Sequence, residues 1–195
     1  ETGQTIYHEE VRGHRFRVAS PSFFQVNTAQ AARLTGIVLD FLGTDGVELL
    51  VDAYAGVGTF AVLLAERARR VIAVEESAPA VKDGRANSVW APNVEWVQGK
   101  VEEVLPELTP APDVVLLDPP RAGCHAGVLA ALAAHRPRRV VYVSCEPATL
   151  ARDRRGPVVR AVGVRRRAAI AVPPRCGKLP WAGPDRRDLS RHRSS

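Results

Sequence analysis

Cysteine is scarce in this chain of 195 residues, with Cys124, Cys145 and Cys176 making up the whole complement. An odd number with no paired-ligand spacing supports neither a disulfide framework nor a zinc site, so each thiol is left to packing or to chemistry. The five histidines, His8, His14, His125, His135 and His192, fall at no metal spacing and read as surface or capping residues. No apolar run approaches the roughly 20 residues that a membrane-crossing helix needs. The opening E-T-G-Q-T-I-Y lacks a basic region followed by an apolar stretch. No secretory signal is therefore visible, and the cytoplasm is the expected compartment.

At 46% hydrophobic content the chain can build one sizeable core. Its charge is unevenly placed. Residues 1–150 carry 14 Lys+Arg against 18 Asp+Glu, whereas residues 151–195 carry 13 against 3, so the formal +6 belongs to the tail. Such a tail can neutralise phosphates without reading sequence. It also lacks periodicity, and no Glu occurs after Glu146.

Apolar strands alternate with helical stretches. A hairpin is expected from Thr5 to Val11 and His14 to Ala19 around Arg12-Gly13, then an amphipathic helix from Thr28 to Leu42. Five strand–helix units follow, with strands near 48–53, 70–75, 94–98, 113–118 and 139–144 and helices near 59–68, 78–90, 101–108, 125–135 and 148–153. This alternation predicts a doubly wound, mostly parallel α/β sheet with helices on both faces. Val158 to Val164 and Ala168 to Val172 are faint candidates for two last strands, which the sequence leaves as missing or disordered.

Three strand ends carry chemistry. V-E-L-L-V-D-A-Y-A-G-V-G-T-F, Val47 to Phe60, runs from a strand into a glycine turn and a helix, where Gly56 and Gly58 allow a sharp turn and close approach of a ligand. The next strand ends in Glu75, where a nucleoside-binding doubly wound fold holds its ribose acceptor. No third glycine completes a dinucleotide pattern, which favours another nucleoside ligand. A later strand ends in D-P-P-R-A-G, whose paired prolines fix Asp118 beside the crevice and leave Arg121 in a loop. Then V-V-Y-V-S-C-E-P-A-T-L-A-R-D ends its strand at Cys145, the position of a nucleophile, although a buried structural thiol fits that segment alone. Trp90 and Trp96 are expected at the sheet edge, with Trp96 also able to approach an adenine; Glu102 and Glu103 suit the start of a helix.

Together S-P-S-F-F-Q-V-N (Ser20 to Asn27), D-A-Y-A-G-V-G-T-F, A-V-E-E, L-L-D-P-P-R-A-G and Y-V-S-C-E-P-A-T-L-A-R-D resemble the catalytic domain of the S-adenosylmethionine-dependent RNA uracil-C5 methyltransferases, from about Thr5 to Asp153. The resemblance implies a class I, Rossmann-like methyltransferase fold and 5-methyluridine formation in ribosomal or transfer RNA. It implies attack of Cys145 on C6 of uracil, and S-adenosylmethionine contacts from Gln25, Tyr54, Gly56, Gly58, Thr59, Glu75 and Asp118. Phe23, Phe24 and Tyr54 are candidates to line the base pocket, with Phe24 better suited to the core. The chain departs from the family pattern at Thr59 and Glu146, where asparagine is common, and at Lys100, where an acid or amide is common. A methyltransferase acting on amino groups through D-P-P is the poorer match, since such enzymes usually follow the prolines with an aromatic and Arg121 follows here.

The resemblance divides the chain into an entry segment, 1–27, a methyltransferase core, 28–153, and a basic tail, 154–195. The family's small RNA-binding β-barrel is not in this stretch, and its later glutamate-bearing segment is not recognisable after Asp153. The shift toward Arg, Pro, Ala and Gly near Arg154 has the composition of a GC-rich gene translated in another frame. A catalytically impaired chain that binds S-adenosylmethionine or RNA is the alternative reading.

Overall fold

A computed structural model describes residues 6–19, 28–42, 46–144, 146–153, 159–165 and 168–172, without the side chains of 28–31 and 159–172. The chain opens with strands β1 (Ile6–Val11) and β2 (His14–Ala19), an antiparallel hairpin. Its turn residues Arg12 and Gly13 both take positive φ, 52° and 79°, the pairing that matches the right-handed twist of the two strands. Helix α1 (Thr28–Leu42) leads into the main sheet.

That sheet contains β3 (Val47–Ala53), β4 (Ala68–Glu75), β5 (Val94–Gln98), β6 (Val114–Leu117), β7 (Arg139–Ser144), β8 (Val159–Arg165) and β9 (Ala168–Val172). Their order is β5-β4-β3-β6-β7-β8-β9. All neighbours are parallel except β8 and β9. The two faint last strands are thus present, and the first of them starts one residue later than expected. The sheet runs past residue 153, the end assigned to the core from sequence.

Because the chain moves outward from β3 to β5 and then returns to β6 beside β3, the topological switch falls between β3 and β6. In open α/β sheets the ligand crevice opens at the carboxyl ends of the strands at such a switch.

The alternation of side chains along the strands divides the core in two. Leu50, Val114, Leu116, Val141 and Val143 pack on one face with Leu34, Val38 and Leu42 of α1 and with Phe60 of α2 (Thr59–Leu63). Leu49, Val51, Val115, Leu117, Val140 and Tyr142 pack on the other with Val101 of α4 (Val101–Val104), Val128 of α5 (Ala126–His135) and Leu150 of α6 (Pro147–Asp153). Helix α3 (Ala78–Asn87) joins the first face through Val81.

Three helices are shorter than expected. The 59–68 stretch splits into α2 and a 3-10 turn at Ala65–Arg67, where Arg67 N–H bonds Leu64 O and tightens the chain into β4. The 101–108 stretch becomes 3-10 at Leu105–Glu107, because Pro106 has no N–H for an α-helical bond. Helix α3 stops at Asn87, three residues short of the expected Trp90, and Asn87 spends its amide outside the helix. It accepts from Arg17 N–H at 2.7 Å and donates to Arg17 O at 3.0 Å and Val57 O at 2.9 Å.

The hairpin is seated by that asparagine and by Asp83, which accepts from Ala19 N–H at 2.7 Å and pairs with Arg17 at 3.5 Å. Strand β2 therefore runs against α3 from its C-terminal toward its N-terminal end. Since α3 begins where β4 ends, β2 leaves toward the carboxyl edge of the sheet.

Candidate active site

The crevice is built by the ends of β3, β4, β6 and β7. After β3 the backbone turns at Tyr54, a non-glycine residue at φ 67°, and continues through Gly56 at φ 56° and Gly58 at φ 88°. A left-handed tyrosine is costly and persists only where its surroundings hold it. Here Ala55 N–H bonds Val74 O at 2.9 Å and Gly58 N–H bonds Ala55 O at 2.9 Å.

The two glycines serve different ends. A Cβ on Gly56 would meet nothing within 4 Å, so this residue faces open space. A Cβ on Gly58 would lie 2.7 Å from Trp96, and one on Gly84 would lie 2.0 Å from the same ring. Trp96 is thus clamped between two glycines beneath the turn, with its indole N–H on Ser88 Oγ at 3.0 Å. Trp96 supports the floor rather than meeting an adenine. Trp90, by contrast, is exposed and stacks on His14 with ring centroids 4.7 Å apart.

Glu75, at the tip of β4, is half-buried and already oriented. Its Oε2 accepts from Gly56 N–H at 2.9 Å and its Oε1 from Ser77 N–H at 2.8 Å. Thr59, half-exposed, opens α2 directly after Gly58. Beneath them lies Asp52, a residue the motif reading passed over. It is 0% exposed; Oδ2 accepts from Ala61 N–H at 2.7 Å, and Oδ1 has no hydrogen-bond partner among the described residues. Burial pushes the Asp52 carboxyl up to about 8, against the Ala61 N–H and with help from the charges of Asp118 and Glu75. An unpartnered buried oxygen is better tolerated on a neutral acid than on a carboxylate.

Across the crevice Asp118 follows β6, half-exposed, its N–H directed at Ala53 O at 3.4 Å. Burial raises its carboxyl to about 7. The loop after the prolines turns through Gly123 N–H to Pro120 O at 2.8 Å. Gly123 has φ +86°, and a Cβ there would lie 2.3 Å from Thr149 and 2.6 Å from Asp153 Oδ2. Glycine is what allows this loop to lie directly on α6. Beside it is a cleft of about 530 Å³ lined by Gly123, Cys124, His125, Leu129, Arg152 and Asp153.

Tyr54 reaches across to the same loop. Burial, followed by the neighbouring Cys124 and Glu102, raises its phenol. Cys124 is buried and pushed up to about 11, chiefly by desolvation, so it is a packing thiol. His125 caps α5 by accepting from Gly127 N–H at 3.1 Å, and the His135 ring is 2.7 Å from Leu105 O. His125 meets the expectation of capping work, whereas His135 joins α5 to the 3-10 turn at Leu105 from a half-buried position.

At the end of β7, Ser144 Oγ donates to Glu146 O at 3.0 Å and accepts from Glu146 N–H at 3.1 Å. Glu146 directs Oε1 at Ala148 N–H, 3.3 Å away, so its charge is used at the start of α6. Cys145, between these two residues, lies outside the described residues, as do Gln25, Phe23 and Phe24. The structure therefore brings together Tyr54, Gly56, Thr59, Glu75 and Asp118, places Gly58 under the turn, and adds Asp52, Asn87 and Asp153, which sequence reasoning missed.

A tRNA (uracil-54, C5)-methyltransferase of Pyrococcus abyssi, solved in complex with S-adenosyl-L-homocysteine, matches with a TM-score of 0.67 at 33% identity, over 77% of this chain and 37% of that one. Trm5b of the same organism, at 22% identity and a TM-score of 0.51, shares the fold over 70% of this chain and 38% of its own. The parallel order β5-β4-β3-β6-β7 with helices on both faces is that of a class I, Rossmann-like methyltransferase. The family model for tRNA (Uracil-5-)-methyltransferase matches residues 8–110, and the chain belongs to that family. Uncharacterized RNA methyltransferases of Synechocystis sp. and Thermosynechococcus vestitus are 44% and 46% identical over 153 residues, covering 77% of this chain. The chain spans about a third of the length of these curated relatives, 33% and 34%.

Proposed function

We propose that this chain carries the methyl-transfer site of an RNA uracil-C5 methyltransferase using S-adenosylmethionine. The observation that carries the reading is the open space over Gly56, bordered by an oriented Glu75 and, across the β3–β6 switch, by Asp118. These residues fit the cofactor. A glutamate held by two backbone N–H groups retains acceptor capacity for ribose hydroxyls, and a half-buried Asp118 suits a cationic ligand. When bound, S-adenosylmethionine supplies an electrophilic methyl group on a sulfonium. Gln25, Tyr54, Gly56 and Thr59 complete the proposed cofactor contacts, with Gly58 supporting the turn. The core begins at residue 28, is entered from 1–27, and takes its last two strands, β8 and β9, from the basic segment that follows residue 153.

Cys145 is assigned as the nucleophile. Its thiolate adds to C6 of a flipped uracil and makes C5 an enolate carbon; C5 takes the methyl group, loses its proton to a base, and elimination restores the thiolate. RNA from the ribosomal or transfer class is the proposed substrate.

The test is incubation of the full chain with methyl-labelled S-adenosylmethionine and total RNA, beside Cys145→Ala. Label in 5-methyluridine, or in a denaturation-resistant protein–RNA adduct, is expected from wild type alone. Adduct without free product would mean that addition and transfer proceed while proton removal is slow. Equal label from both proteins would refute the nucleophile.

A further inference from the structure

Asp153 is the last residue of α6, and its side chain is only 1% exposed. It holds three elements at once. Oδ2 accepts from Tyr142 Oη of β7 at 2.8 Å and from the backbone N–H of Cys124 at 3.0 Å, while Oδ1 accepts from Arg152 Nε at 2.7 Å. Arg152 passes the tie onward by donating to Ala122 O at 2.8 Å, and Thr149 Oγ1 donates to Arg121 O at 3.1 Å. Arg121, Ala122 and Cys124 are thus each bonded to α6 through the backbone, and Gly123 between them leaves no room for a Cβ. A surface pairing of Arg152 with Asp153 needs none of this. A carboxylate withdrawn from water and sharing one oxygen between a strand hydroxyl and a loop amide is built to fix a distance.

The tied elements matter because of what they carry. The loop begins at Asp118, and Tyr142 lies on β7, which ends at Ser144 directly before Cys145 in the sequence; α6 begins two residues after Cys145. We infer that Asp153 is a positioning residue for methyl transfer, locking the Asp118–Cys124 loop to β7 and α6 so that the loop acid and the cysteine segment keep one relative register. This rests on the functional reading above. Near-attack geometry tolerates little drift, and a misplacement of about 1 Å can cost on the order of 100-fold in rate. Of the proposed cofactor contacts, Gly56 and Glu75 lie on the other side of the switch and do not use this clamp, whereas Asp118 opens the clamped loop.

The experiment measures single-turnover methyl incorporation into RNA and the dissociation constant of S-adenosylmethionine for the full wild-type chain, Asp153→Asn and Tyr142→Phe. Asp153→Asn keeps one carbonyl acceptor but sets an amide against an N–H donor. It is expected to slow transfer by about 10- to 100-fold and to weaken cofactor binding by a clearly smaller factor, because Asp118 is the one proposed contact on the clamped loop. Tyr142→Phe removes one hydrogen bond and leaves the loop and arginine ties, so about 2- to 10-fold slowing is expected. It also decides the matter if Asp153→Asn does not fold. Wild-type rates in the folded variants would overturn the inference, as would a loss of cofactor affinity in step with rate, which is the mark of general structural damage. A wild-type chain without Cys145-dependent label would sink the functional reading and this inference together. An active wild type with unaltered variants would sink the inference alone.

Discussion

On the β3–β4 side of the crevice the backbone is seated by shape: Trp96 fills the space that Gly58 and Gly84 leave, and a buried Asp52 lies below with one oxygen unpartnered among the described residues. On the β6–β7 side the loop is seated by charge, through an Asp153 carboxylate satisfied by a hydroxyl, an amide and a guanidinium. Packing holds a turn that needs only to stay open over Gly56. Directional bonds hold a loop whose distance from a neighbouring strand has to be set. The two solutions fail differently, which makes the contrast testable.

The largest effect is expected at Trp96. Trp96→Ala removes the ring from between two glycines and leaves Ser88 Oγ without its indole donor. Loss of a buried tryptophan costs about 3–5 kcal/mol, read from the midpoint of urea denaturation. Gly84→Ala attacks the same seat from the opposite direction, since its Cβ would fall 2.0 Å from the ring, and overpacking of this kind costs about 1–3 kcal/mol. Near-neutral results for both would mean that the ring yields easily, and the packed side would lose its distinction.

Much of this architecture is legible in the sequence because it rests on local rules. Arg12-Gly13 announces the hairpin, apolar runs ending in Glu75 and Asp118 announce strand tips, and α1 falls on its expected bounds. What was not legible depends on contacts between distant residues. The fit of Trp96 to Gly84 is made by two chain segments meeting across β5 and α3. Asn87 looked like an ordinary residue inside a helix extending to Trp90, yet it ends that helix and ties the hairpin to Val57. Asp153 closed a motif and gave no sign of partners at positions 124 and 142. The signal available for Asp83 and Asn87 was two polar residues spaced i, i+4, which places them on one helix face.

An intermediate effect comes from two buried aspartates that should respond to pH in opposite senses. Asp52 ionises near 3.8 when unfolded and holds its proton to about 8 when folded. Between those values the folded state binds the extra proton, so stability falls as pH rises, by at most about 1.4 kcal/mol per pH unit. Asp52→Asn cannot ionise and keeps a carbonyl acceptor for Ala61, so its stability relative to wild type should improve from pH 5 to pH 8. Asp153 is the reverse case. Burial opposes its charge, but Arg152, the Cys124 N–H and Tyr142 together hold its carboxyl below the usual range. Its contribution is present above the unfolded carboxylate range and disappears as pH falls through the depressed folded value, so the penalty of Asp153→Asn should shrink in acid. Denaturation of both variants at several pH values checks the signs; parallel profiles would erase the contrast between the dry acid and the paired one.

The smallest effect is expected from an ion pair with better geometry than either buried site. Arg70 meets Glu95 through two bonds of 2.7 Å between β4 and β5, but their side chains are 41% and 51% exposed. Water and salt screen such a pair, and ordering two flexible side chains offsets much of the attraction, so exposed pairs contribute about 0–1 kcal/mol. Glu95→Gln should therefore shift the denaturation midpoint slightly in dilute buffer and not at all in about 1 M salt, where the Debye length is about 3 Å. Arg152 is more exposed than Arg70, at 58% against 41%, yet it bonds a carboxylate that is 1% exposed, so the effect of Asp153→Asn should survive the same salt. If salt abolished both, the burial of Asp153 would not be protecting its bonds, and charge on the β6–β7 side would be no more effective than charge on the surface.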